Sequence, residues 1–182
     1  ELLDRARSNG LHFDTLIFDE YYGGKPGFLK GLDDRKQQFV AEVPKNFRVL
    51  SKPPRTAKPP EGWTGKRVDN LWRFSSDWNQ KPWKDVQLAR LTLDDQEWEV
   101  RAAQIYLIRD GELTKRTYWL IVARQKQTRE LKYFISNAPT ATPLERLMRI
   151  AFSRWNIEHT FRVAKTELGL GHFEGRSYVS LI

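Results

Sequence analysis

The run HFDTLIFDEYYGGKPGFLKGLDDRKQQFVAEV, residues 12–43, decides the fold. Its first segment, His12 to Asp19, is a short β-favouring stretch that ends in an acid, and Gly23-Gly24 break the chain soon after it. Pro26 opens a short helix carrying Phe28, Leu29 and Leu32, and Gln38 to Val43 reads as a second strand closed by Pro44. Strand, helix and strand make a right-handed parallel unit. Ligands gather at the carboxyl ends of strands in open parallel sheets, so the pattern predicts a buried strand with Asp19 at the end where a site forms.

Upstream, Glu1 to Ser8 has a helical pattern stopped by Asn9-Gly10. Downstream the composition changes. From Lys45 to Arg67 seven basic residues stand among Pro53, Pro54, Pro59 and Pro60 with only Glu61 opposing them, which predicts an extended basic linker. It is either a solvated connector or a track for phosphates. Beyond it Val86 to Thr92, Glu97 to Arg109, Leu113 to Arg124 and Leu131 to Ser136 read as strands of an antiparallel insertion, with Asp110-Gly111 as a hairpin turn. Trp72, Trp78, Trp83, Trp98 and Trp119 lie in or just before these strands and are expected in the core or on sheet faces, with stacking on a displaced base as the other use of such a residue.

Thr142-Pro143-Leu144-Glu145 has the form of a capping box and predicts a long helix running to about Leu168, where Gly169 and Gly171 supply the stop. Steps of four and three place Leu147, Ala151, Arg154, Glu158, Phe161, Lys165 and Leu168 on one stripe. Apolar residues at both ends of the stripe would hold it against the domain and bring Arg154, Glu158 and Lys165 onto something polar. An intrahelical Arg154–Glu158 ion pair is the plain structural alternative. Asp19 and Glu158 are also the kind of distant carboxylates that meet over a sheet edge, and hard oxygen ligands suit Mg2+ or Mn2+. Two such ions, about 3.5–4 Å apart, serve in-line phosphodiester displacement, with Arg154 and Lys165 as flanking cations for phosphate.

The composition is consistent with a folded domain: the 182 residues are 40% hydrophobic and 13% aromatic. A formal net charge of +8 favours a polyanionic partner. Cysteine is absent, which excludes disulfides and thiolate metal sites. Neither a leader nor an apolar run long enough to span a membrane is visible. His12, His159 and His172 read as structural or solvent-facing, because the acids already supply the expected ligands.

Arg154-Trp155-Asn156-Ile157-Glu158, Phe161, Lys165, Glu167-Leu168-Gly169-Leu170 and Glu174-Gly175-Arg176-Ser177 together resemble the C-terminal catalytic motif of bacterial insertion-sequence DDE transposases. Their signature is Tyr, two residues, Arg, three residues, Glu, six residues, Lys. Arg154, Glu158 and Lys165 match the last three positions, while Ala151 stands at the tyrosine. Leu16-Ile17-Phe18-Asp19-Glu20-Tyr21-Tyr22-Gly23 is similar to the second-aspartate strand of that family.

The resemblance implies an RNase H-like, retroviral-integrase-type α/β fold, N-terminally truncated, with an antiparallel β-insertion before the catalytic helix. Residues 1–44 and 140–175 would form the core and 45–139 the basic linker and insertion. Asp19 and Glu158 would be catalytic metal ligands for two Mg2+ or Mn2+ ions, and Arg154 and Lys165 would contact DNA. The first acid is expected upstream of Glu1, and both ends of the chain read as cut. The family pattern further implies end cleavage at terminal inverted repeats and joining to target DNA by a homodimer, in the bacterial cytoplasm at the nucleoid. A non-catalytic DNA-binding protein derived from a transposase core is the alternative.

Overall fold

The computed structural model describes residues 1–53, 65–86, 97–109 and 112–167, and for 155–159 the helical backbone alone. Helix α1 (Leu2–Ser8) precedes strand β1 (Thr15–Phe18); helices α2 (Glu20–Gly23) and α3 (Pro26–Asp34) lead to strand β2 (Gln38–Glu42). The two strands are parallel, in register from Thr15↔Gln38 to Phe18↔Ala41. Helix α1 docks on the end of α3 through Arg35, which donates to both oxygens of Asp4 at 2.7–2.9 Å and holds that carboxyl well below the usual carboxylate range.

The next segment was expected as an extended linker, yet its described part is folded. Strands β3 (Arg48–Val49) and β4 (Lys66–Arg67) form a small antiparallel ribbon followed by helices α4 (Val68–Phe74) and α5 (Ser76–Asn79). Phe47 and Val49 of the expected linker enter the core beside Val68, Leu71 and Trp78 of the helices that follow, and their burial outweighs the proline and lysine content that suggested a solvated tether. Residues 54–64, which hold the rest of that expected linker, lie outside the described residues.

Strands β5 (Lys84–Val86), β6 (Trp98–Ile105), β7 (Ile108–Arg109), β8 (Glu112–Leu113), β9 (Tyr118–Gln125) and β10 (Leu131–Ser136) follow, then helix α6 (Leu144–Thr166). The β7–β8 hairpin pairs Arg109 with Glu112, while the Asp110-Gly111 turn and the continuation of the Val86 strand lie outside the described residues. The main sheet has the order β1-β2-β10-β9-β6-β5, with every pair after β1–β2 antiparallel. Strand β1, expected to be buried, is half-exposed throughout, since among the described residues it has a strand neighbour on one side only.

The period of two divides each strand between two cores. On one face Phe39, Ala41, Leu120, Val122 and Ile135 pack under α3, α4 and α5. On the other Val40, Ile121 and Phe134 meet Leu147, Met148, Ala151 and Phe152 of α6, with Trp98 edge-on to Phe152 at 4.9 Å. Asp33, at the end of α3 with its side chain 8% exposed, ties the later antiparallel strands to the first core. It accepts from Tyr118 Oη at 2.7 Å and Asn137 Nδ2 at 2.7 Å, and it is ion-paired with Arg109 at 2.5 Å and with Arg116.

The capping box expected at α6 does not form. Thr142 N–H instead closes a turn on Pro139 O at 2.9 Å, and Pro143, extended at ψ 135, is the N-cap with no side-chain capping bond. The first helical residue is therefore Leu144, and Thr142 sits one position too far back to reach the free amides.

Candidate active site

Asp19 follows the last residue of β1 and caps α2. Its Oδ1 accepts from the amides of Tyr21 and Tyr22 at 3.2 and 3.3 Å, which fixes the carboxylate at the strand end. Among the described residues Oδ2 takes no such bond, so one hard oxygen remains available. Helix α2 folds down on the end of β2 because Gly23 lacks a side chain: a Cβ there would lie 1.9 Å from Glu42 O.

Glu42 ends β2, one register step beyond Phe18↔Ala41 and therefore beside Asp19. Lys132 Nζ of β10 lies 2.9 Å from Glu42 Oε1, and Arg154 Nη2 of α6 lies 3.3 Å from Oε2. Each carboxylate oxygen is thus held by a cation, with all three side chains 14–22% exposed. This leaves Glu42 a poor metal donor and a good anchor for cations. Next to it a concavity of about 800 Å3 opens across the strand ends, where Glu20, Lys45, Arg67, Arg73 and Lys132 reach the surface.

Helix α6 packs on β1 and β2 and brings Arg154 to this edge. Glu158 occupies the next turn of the same stripe in the helical backbone; its side chain, and with it the expected pair with Arg154 or with a metal, lies outside the described residues. Among the described residues, the apolar hold expected at both ends of the stripe is present at the first. Leu147 and Ala151 are buried, but Phe161 is 61% exposed and Lys165 is exposed. Arg154 already reaches the last residue of β2, so the turns beyond it extend past the strand ends. Leu168, the glycine stop and the Glu174–Ser177 motif lie outside the described residues.

A family model for the transposase DDE domain matches residues 1–181. The chain belongs to the transposase DDE domain family. No curated protein matches it. The transposase DDE domain is one of transposition-related nucleases that act on DNA, and the family generally uses divalent metal ions. The mixed α/β architecture and mixed sheet fit an RNase H-like domain of that kind. No helix among the described residues is long and apolar enough to cross a membrane.

Among the described residues no three His, Cys, Asp or Glu side chains converge as a ligand group. Asp19 nevertheless fits, as an oriented oxygen donor at the carboxyl end of a parallel strand. Sequence reasoning missed Glu42 and Lys132. The signal for Glu42 was present, because a parallel β1–β2 register that ends at Asp19 also ends at Glu42. Nothing local marks Lys132, which reaches the site through a strand about ninety residues farther along the chain. The five tryptophans in or just before the antiparallel strands are all occupied: Trp78 and Trp98 are buried, Trp72 donates to Tyr133 Oη, Trp83 lies under Arg101 and Arg124, and Trp119 donates to Pro139 O.

Proposed function

We propose that Asp19 and Glu158 are the second and third carboxylates of a DDE transposase site of the bacterial insertion-sequence type, which cuts transposon ends and joins them to target DNA. The observation that carries this reading is the position of Asp19, capped and oriented at the carboxyl end of β1, on the edge that α6 reaches through the Arg154–Glu42 contact. Asp19 and Glu158 would hold Mg2+ or Mn2+, ions that activate the attacking oxygen and stabilise the leaving oxygen of in-line displacement when bound. Arg154, kept at the strand ends by Glu42, orients the scissile phosphate. Lys165, exposed two turns beyond Glu158, holds a flanking phosphate of the same strand. The complete assembly is a homodimer on paired inverted repeats, at the nucleoid of a bacterial cytoplasm.

A second reading, a DNA-binding protein derived from a transposase core that no longer cuts, rests on one position. Ala151 stands at the tyrosine of the signature and is buried, so this position offers no hydroxyl to DNA.

Cleavage and binding of an inverted-repeat substrate separate the readings. Glu158→Gln and Asp19→Asn each remove one anionic oxygen ligand while keeping size, so cleavage falls by about a hundred- to a thousandfold, the scale of a lost electrostatic catalytic group. DNA affinity stays within a few-fold. Lys165→Ala weakens both, less completely. Cleavage that survives Glu158→Gln moves the active site elsewhere, and a wild-type protein that binds the repeats without cutting in either metal supports the second reading.

A further inference from the structure

Tyr133 of β10 is 6% exposed, and the part it leaves open lines the concavity at the carboxyl ends of the strands. Its backbone O accepts from Val43 N–H at 2.8 Å and its neighbour Phe134 pairs with Glu42, so it stands one strand over from Glu42 and two from Asp19. At about 4.8 Å per strand spacing, that is roughly 10 Å from Asp19.

The phenol is fixed from behind. Trp72 Nε1 donates to Tyr133 Oη at 3.2 Å, and Trp72 is itself seated edge-on against Trp83, with ring centroids 5.8 Å apart. An indole N–H can only donate, so it takes a lone pair of the phenol and leaves the phenolic hydrogen over. Among the described residues that hydrogen has no acceptor. Asp69 lines the same concavity, but its oxygens are engaged by Arg67 at 3.0 and 2.6 Å. Burial raises the phenol above its ordinary value, against the Trp72 hydrogen bond and the charge of Arg73, so Tyr133 remains a protonated donor at neutral pH. The same indole also places a cation: Arg73 Cζ lies 5.3 Å from the Trp72 ring, and Arg73 is exposed in the concavity. A neutral O–H donor without an acceptor, beside an exposed guanidinium, is complementary to an anionic oxygen.

We propose that Tyr133 positions DNA in the candidate site, its hydroxyl donating to a non-bridging oxygen of a phosphate beside the scissile one while Arg73 meets the charge of the same group. The proposal rests on the transposase reading for its substrate. On that reading the strand passes Asp19, and a contact roughly 10 Å away sets its register without touching metal or the reacting oxygens.

The test is equilibrium binding of an inverted-repeat duplex, and of a series in which one neutral methylphosphonate replaces each phosphate in turn. Tyr133→Phe keeps the ring and removes the hydroxyl, so it should weaken binding of the unmodified duplex about ten- to a hundredfold, the range for a hydrogen bond to a charged group. At one phosphate the wild-type penalty for methylphosphonate should shrink in Tyr133→Phe, and at the others the two proteins should show equal penalties. Trp72→Phe controls for the fold. It breaks the same internal hydrogen bond and keeps the phenol, so it should lower the melting temperature about as much as Tyr133→Phe and leave the position-dependent penalty in place. Unchanged affinity in Tyr133→Phe overturns the proposal. So does a loss coupled to no single phosphate, or an equal loss in Trp72→Phe, since either would mean a structural effect. A wild type that binds no duplex overturns the transposase reading itself, whereas metal-dependent cleavage by wild type with unaltered affinity in Tyr133→Phe keeps that reading and removes this contact.

Discussion

Asp33 shows how one side chain can join two parts of the fold. Its carboxylate is almost enclosed, accepts from a phenol and a side-chain amide and pairs with two guanidinium groups, all from residues that follow β2 in the chain. Removing one member of such a cluster costs more than the cluster contributes, because the remaining charges stay buried without their counter-ion. Arg109, 12% exposed, is the member least able to turn to water. Asp33→Ala is therefore expected to lower unfolding free energy by about 3–5 kcal/mol, read from a urea denaturation midpoint at constant m-value. A loss below about 1 kcal/mol, the range of an exposed pair, would show that the cluster is solvated. No sequence pattern marked Asp33, which lies beside the equally acidic Asp34; only the tertiary contacts distinguish them, since Asp34 pairs locally with Lys30 on the surface.

Helix α6 depends on two kinds of contact, one for each half. Its first turns are held by Leu147, Met148, Ala151 and Phe152, while its reach to the strand ends depends on Arg154 and Glu42. Glu42→Gln removes the charge that holds both Arg154 and Lys132, so amide exchange is expected to quicken about tenfold or more around residues 150–154, the effect of losing a charge-assisted bond. The turn around Leu147 should keep its protection; uniform exchange along the helix, or none altered, would refute this division. The helix itself was legible because its sequence runs without a breaker from Leu144 to Thr166, and β1, α3 and β2 were legible because each carries its own period and punctuation. The start of α6 was misplaced because a turn between Pro139 and Thr142 competes for the threonine, and Phe161 was misjudged because periodicity gives a face without saying where the sheet beneath it ends. Sheet order was illegible for a related reason. Strand β10 joins β2 across nearly a hundred residues, and a pattern of alternation contains no partner.

The net charge of +8 acquires a direction once its members are placed. Arg67, Lys132 and Arg154 are held by carboxylates, so they neutralise protein charge before they neutralise DNA. Lys45 and Arg73 are exposed where the opening crosses the carboxyl ends of the strands. Lys36 and Lys115 are exposed too, and neither lines that opening. Counterion release counts only the cations that meet phosphate, so these two pairs should behave differently although their formal charges are equal. Duplex affinity measured from low to moderate salt should fall on a log–log line, and Lys45→Ala with Arg73→Ala should make its slope shallower by about 1.8, two duplex phosphate contacts. Lys36→Ala with Lys115→Ala should shift affinity slightly and leave the slope unchanged, because long-range attraction is screened beyond about 10 Å at 0.1 M salt. Equal slopes for the two double variants would place the DNA path on another surface. A flat response in the wild type would make the positive charge a solubility property and remove electrostatic support for a DNA track at the strand ends.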